Sequence, residues 1–133
     1  MVKNISIALF HDKESIVMQD RKSRSKYGER YGFWGGGVEI GETPLESIKR
    51  ELIEELDYKP PKLIYWRDYN FIVGNDDIIL HLFLSPITPE LLKSQVSEGD
   101  GVVNFSFQEI LASEKFDKID KAIISLLISH LKT

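Results

Sequence analysis

The chain has no cysteine. That excludes disulfides, thiolate metal sites and thiol nucleophiles, and it suits a reducing cytoplasm. It has no surplus of positive charge: 17 basic residues face 21 acidic ones, for a net charge of −4. Binders of duplex nucleic acid usually carry a basic excess, so a nucleic-acid partner is not expected. It has no apolar run long enough to span a bilayer, because His81 interrupts Ile78 to Leu84 and Ser125 interrupts Ile123 to Ile128. No membrane partner is expected, and Met1 to Phe10 is too short and too interrupted for a signal peptide. Repeats, linkers and low-complexity tracts are missing as well. What is present is globular composition, 42% hydrophobic and 29% charged in 133 residues. That predicts one domain, residues 1–133, with an ordinary core.

Ile5, Ile7 and Leu9 alternate with Asn4, Ser6 and Ala8, which reads as a strand. His11 to Glu14 reads as a turn into a second strand at Ile16 to Met18. Asp20 to Arg30 is dense in charge and predicts an exposed loop. Thr43, Pro44 and Glu46 form the start of a helix, with an N-cap, a first-turn proline and a Thr-x-x-Glu capping box. Leu45, Ile48, Leu52 and Leu56 form its apolar stripe, and Pro60-Pro61 ends it. Two strands, Lys62 to Val73 and Asp77 to Leu84, meet at Gly74-Asn75-Asp76. Pro86 to Gly101 reads as a loop with at most one helical turn, and Val102 to Phe107 as a short strand. Lys118 to Leu131 is a second amphipathic helix. Strands mixed with two separated helices predict an α/β or α+β sandwich.

The chemistry concentrates on the first helix. Glu51, Glu54 and Glu55 fall within an arc of roughly 100° on its surface. Three carboxylates that close repel one another, and their pKa values rise unless a cation compensates. Magnesium is an apt compensator, since it prefers oxygen ligands and is typically shared between a few carboxylates and substrate phosphates. Arg50 stands ready to pair with one carboxylate. Taken alone, Glu-x-x-Glu-Glu is more often a solvated acidic face, and Gly35-Gly36-Gly37 more often a turn. Glycines, capped helix, Arg-Glu and Glu-Glu at fixed offsets do not combine by accident.

Gly36, Glu42, Arg50, Glu51, Leu52, Glu54 and Glu55 resemble the signature of the Nudix hydrolases over residues 36–58. Asp57 and Tyr58 depart from its closing glycine and aliphatic residue. Asp tolerates unusual backbone angles, so a structural adjustment is expected at 57. The looser match of Ser97 to Gly101 and Phe105 to Ile110 to a downstream loop and strand extends the resemblance along most of the chain. The resemblance implies an α/β/α sandwich with a mixed β-sheet between helices. It implies hydrolysis of a pyrophosphate bond in a nucleoside diphosphate linked to another group X.

By that resemblance Glu51, Glu54 and Glu55 hold Mg²⁺ or Mn²⁺, with the Gly36 carbonyl as a further ligand. Arg50 and Glu42 support them. The general base is Glu51 in the box or Glu98 in the downstream loop, with Asp100 a weaker third. Arg24 and Arg30, in the run that also holds Arg21, Lys22 and Lys26, are candidates to grip phosphate. Trp34 is a candidate to bind substrate, among aromatics that include Phe10, Tyr27, Tyr31, Tyr69 and Phe71. His81 reads as a satisfied histidine in an apolar strand. Markers that some subfamilies carry downstream of the box are missing around Val73 to Asp77. This points to nucleoside triphosphates, oxidised ones included. The resemblance leaves open a homodimer, a catalytically silent nucleotide-sensing or partner-binding module, and an enzyme acting on RNA 5′ ends.

Overall fold

Period-two alternation in β1 (Val2–His11) sends neighbouring side chains to opposite sides of a sheet. Leu9 joins one apolar cluster while Ala8 and Phe10 join another. A computed structural model of the chain describes residues 1–21, 31–94 and 101–133. These form one seven-stranded sheet with helices on both faces. After β1 come β2 (Ser15–Asp20), β3 (Tyr31–Gly32), β4 (Trp34–Gly37) and helix α1 (Pro44–Leu56). Then follow β5 (Ile64–Val73), β6 (Asp76–Pro86), the short α2 (Pro89–Leu92), β7 (Gly101–Ser106), α3 (Phe107–Ala112) and α4 (Lys118–Leu131). The expected α/β/α sandwich with a mixed sheet is the fold observed.

The main path through the sheet is β3-β2-β1-β6-β5, with β4 also on β1 and β7 also on β2. β1 runs parallel to β6 and antiparallel to β2 and β4. On one face, Leu9, Ile16, Met18, Leu80 and Leu82 pack with Ile123, Ile124 and Leu127 of α4. On the other, Ala8, Phe10, Val17, Trp34 and Phe83 pack with Ile48, Leu52 and Leu56 of α1. Among the described residues no helix is long and apolar enough to cross a membrane.

α1 starts as its sequence dictates. Thr43 accepts a bond from the Glu46 amide, and Glu46 bonds back to the Thr43 amide. Its C-cap is Asp57, at φ 49° and ψ 44°, and the amide of Asp57 donates to the Ile53 and Leu52 carbonyls. The cap needs a left-handed residue, and aspartate takes the role the missing glycine would have filled. Leu45 departs from the expected stripe and is exposed, because α1 meets the sheet through Ser47, Ile48, Leu52 and Leu56. Asp20 departs from the expected loop: it ends β2 and is buried. α3 was hidden in what reads as the end of a strand. Ser106 and Glu109 form a second capping box, which turns the chain into a helix at Phe107.

Candidate active site at the first helix

The three glycines leading to α1 serve different ends. Gly35 sits at φ +150°, and a Cβ there would strike the Ser6 carbonyl of β1. Gly36 is different: a Cβ would land on the carboxylate of Glu51. The bare backbone at 36 is therefore the slot that receives Glu51, which rises from α1 over β4. The next residue, Gly37, offers its carbonyl to α1 and accepts from Arg50 Nη2 at 3.1 Å and Ser47 Oγ at 3.3 Å.

Arg50 is the hub of the acidic helix. Its Nε donates to Glu42 Oε2 at 2.7 Å and its Nη2 to Glu42 Oε1 at 3.1 Å, a two-pronged pair. Its Nη1 donates to Glu51 Oε1 at 3.0 Å and lies 3.3 Å from Glu54 Oε2. Glu39 approaches the same Nη1 at 3.7 Å. Arg50 thus places one positive charge among these carboxylates. Glu42 is further held by the Glu39 amide at 2.9 Å. Hydrogen bonding from Arg50, then from the Glu39 amide, pulls the Glu42 carboxyl down to a pKa of about 2. Arg50 is driven the other way, first by its bond to Glu42, and stays charged at any working pH. Glu42 and Arg50 therefore meet directly.

The register of β4 on β1 decides which backbone oxygens are free. Val38 N–H donates to the Asn4 carbonyl at 2.9 Å. Asn4 and Val38 are thus a hydrogen-bonded pair, and two residues along, Ser6 and Gly36 stand opposite in the same phase. The Gly36 carbonyl is turned into the sheet, with the Ser6 hydroxyl 3.4 Å away. Position 36 also supplies room for Glu51.

The donor set fits a hard divalent cation, since it consists of carboxylates and backbone carbonyls. Among the described residues no three acidic or histidine side chains form a ready-made cage. Magnesium needs none, because it keeps several waters and takes one or two carboxylates beside substrate phosphates. Glu54 is exposed and Glu55 half-buried on the same side of α1 as Glu51.

Other candidates fall elsewhere. Trp34 is fully buried among Ala8, Ile48 and Leu52, so it has no ring face for a substrate. Its indole Nε1 has no hydrogen-bond partner among the described residues. The sequence pattern missed this because an aromatic beside glycines looks the same whether it faces in or out. Arg24, Arg30, Tyr27, Glu98 and Asp100 lie outside the described residues. Phe10 is buried edge-on to Tyr58. Tyr31 stacks on Phe116 at 5.2 Å and, with Phe105, Glu109 and Lys115, lines a cleft of about 310 Å³ on the α3 side. His81 is satisfied as expected, by Asp68 at 2.8 Å and Asn4 at 2.9 Å. Two buried serines, Ser6 and Ser47, escaped the sequence reading. Nothing in their spacing announces that β1 and α1 bring them together.

Comparison with known proteins bears on the family and the fold. The family model described as NUDIX domain matches residues 2–127. An RNA pyrophosphohydrolase of Francisella philomiragia is 39% identical over 57 residues, covering 43% of this chain and 34% of that protein. The match thus spans about a third of the length of that curated relative. A MutT protein from Methanosarcina mazei superimposes with a TM-score of 0.79 at 18% identity, covering 99% of this chain and 96% of that one. The E. coli ORF135 protein superimposes at 0.77 with 22% identity, covering 96% and 89%. At those identities the two structures speak for the fold alone.

Proposed function

Because this chain belongs to the Nudix family, whose members generally use divalent metals, we propose that it is a pyrophosphohydrolase dependent on Mg²⁺ or Mn²⁺. The observation that carries the reading is the Glu51 carboxylate lying in the slot at Gly36 while Arg50 bonds its Oε1. Glu51, Glu54 and Glu55 hold the cation. The alternation that turns the Gly36 carbonyl into the sheet turns that of Gly35 away from β1, which makes Gly35 the better backbone ligand. A divalent cation held there would supply charge to neutralise the polyphosphate and to lower the pKa of a water. Arg50 holds Glu51 and Glu54 at fixed rotamers. Glu42 holds Arg50 in turn and remains ionised well below neutral pH. The proton of the attacking water goes to Glu51 or Glu98, and Arg24 and Arg30 grip the phosphates. The preferred substrate is a nucleoside triphosphate, oxidised ones included, cleaved to a monophosphate and pyrophosphate.

A second substrate is favoured by one finding, the relative named an RNA pyrophosphohydrolase. A 5′-triphosphate RNA end is the same anhydride on a larger carrier. The test is a panel of nucleoside triphosphates, diphosphate-linked compounds and a 5′-triphosphorylated oligoribonucleotide with Mg²⁺, products identified by mass. Pyrophosphate release from the nucleotide or the RNA end tells the two readings apart. Tight nucleotide binding without turnover under any metal indicates a silent sensing module instead. Glu54→Gln, which nearly preserves volume, is expected to lower turnover by about a hundredfold or more with Tm unchanged. Undiminished turnover refutes the ligand assignment.

A further inference from the structure

Two hydroxyls lie at the junction of β1, β4 and α1, and both are completely buried. Ser6 Oγ and Ser47 Oγ are 2.8 Å apart, bridging residues 41 positions apart in sequence. Ser47 Oγ passes its own hydrogen to the Gly37 carbonyl. That carbonyl also accepts from Arg50, which bonds Glu51. A continuous chain of hydrogen bonds therefore runs from the centre of the sheet to the carboxylate in the Gly36 slot: Ser6, Ser47, Gly37, Arg50, Glu51. Ser47 also lies one helical turn before Glu51, on the face of α1 that touches β1. Beside it along α1, Ile48 and Leu52 belong to the apolar cluster that joins the helix to Ala8 of β1. A buried hydroxyl pair contributes little net stability there, since replacing both partners by apolar groups is often close to neutral.

We propose that Ser6 and Ser47 act together as positioning residues, fixing the rotation of α1 over the sheet so that Arg50 and Glu51 reach the cation site. Packing of Ile48, Leu52 and Leu56 alone permits small rolls of the helix, whereas a directional bond at one angle does not. The proposal rests on the metal-dependent reading of the site. It concerns how this chain presents Glu51, not whether Glu51 is a ligand.

The test compares Ser6→Ala, Ser47→Ala and the double variant by Tm, by Mn²⁺ binding to the metal-free protein followed by electron paramagnetic resonance, and by turnover. Each single variant removes the 2.8 Å bond and leaves the remaining hydroxyl only its longer contact, Ser6 to the Gly36 carbonyl at 3.4 Å or Ser47 to the Gly37 carbonyl at 3.3 Å, and is expected to lower Tm. The double variant is expected to recover Tm to near wild type, yet bind Mn²⁺ about tenfold more weakly and turn over about tenfold more slowly at unchanged KM. Stability and function then part company, which a purely structural pair does not produce. A double variant with wild-type Mn²⁺ affinity and turnover overturns the proposal, and so does strictly additive loss of Tm. Ser6→Thr and Ser6→Val differ only in hydroxyl against methyl and serve if the alanine variants fail to fold. Mn²⁺ affinity retained in threonine and lost in valine supports the pair, and equal affinity in both overturns it. A wild-type protein that binds no Mn²⁺ fails the metal reading itself, a result visible before any variant is made.

Discussion

Helices α1 and α4 cover opposite faces of one sheet and do so in opposite ways. α4 anchors through Ile123, Ile124 and Leu127, all fully buried, with Ile119, Ile128 and Leu131 around them. Its N-cap, Asp117, makes no side-chain capping bond. α1 also buries three aliphatic residues, Ile48, Leu52 and Leu56. Beside them it adds two buried-hydroxyl bonds, a complete capping box, a left-handed C-cap and a guanidinium shared among carboxylates. Burial is non-directional, so α4 is held by area rather than by bonds of fixed angle. α1 is held by bonds that specify angle. The lesson is that the helix carrying the chemistry is pinned by directional bonds, while the one carrying bulk stability is held by apolar area.

That contrast can be broken first at Gly36. Gly36→Ala is expected to fold, since its Cβ meets only the movable end of Glu51. Displacing that carboxylate is expected to cost about a hundredfold in turnover with little change in Tm; unaltered turnover removes Glu51 from the slot argument. The mirror-image change is Leu127→Ala in α4. It is expected to destabilise the protein by about 2–5 kcal/mol. Well below its Tm, kcat is expected to stay within a factor of two of wild type. Denaturant titration and steady-state rates on one preparation check both halves, and a large loss of kcat in the folded variant would blur the division of labour.

A smaller effect tests the capping of α1. Thr43→Ala removes the acceptor for the Glu46 amide and is expected to cost about 1 kcal/mol. The smallest concerns acid. Glu42 titrates at about 2 in the folded chain against an ordinary value of 4.5. Its contribution is therefore complete above about pH 4.5 and lost as pH falls towards 2. Glu42→Gln is expected to be less stable than wild type at neutral pH, with the two denaturation curves converging near pH 2. Parallel curves across that range contradict the Arg50 pairing.

Much of α1 was legible in the sequence because its signals are local. Thr43, Pro44 and Glu46 mark its start within one turn, and the spacing of Glu42, Arg50, Glu51 and Glu54 already brings a cation among carboxylates. The same locality explains the left-handed Asp57. α3 was legible in principle, since Ser106 and Glu109 repeat the capping pattern, but the strand-like Val102 to Phe107 masked it. Trp34 failed for another reason. Whether an aromatic residue next to glycines packs inward depends on which strand face it joins, and that is a property of the sheet. Leu45 fell out of the stripe because the width of the buried face is set by what α1 lies on.

By itself the sequence determined the capped acidic helix, the terminal helix, the strands other than β3 and β4, and the family to which the chain belongs. Those features depend on contacts within about one helical turn or on two-residue alternation, which the chain order encodes directly. Only the tertiary structure decided that position 36 is a slot for Glu51, that its carbonyl points into the sheet, and that Ser6 meets Ser47. Each of these depends on the register of β4 against β1 and on how α1 lies across both. A register shift of one residue would invert every such relation while leaving the sequence pattern unchanged.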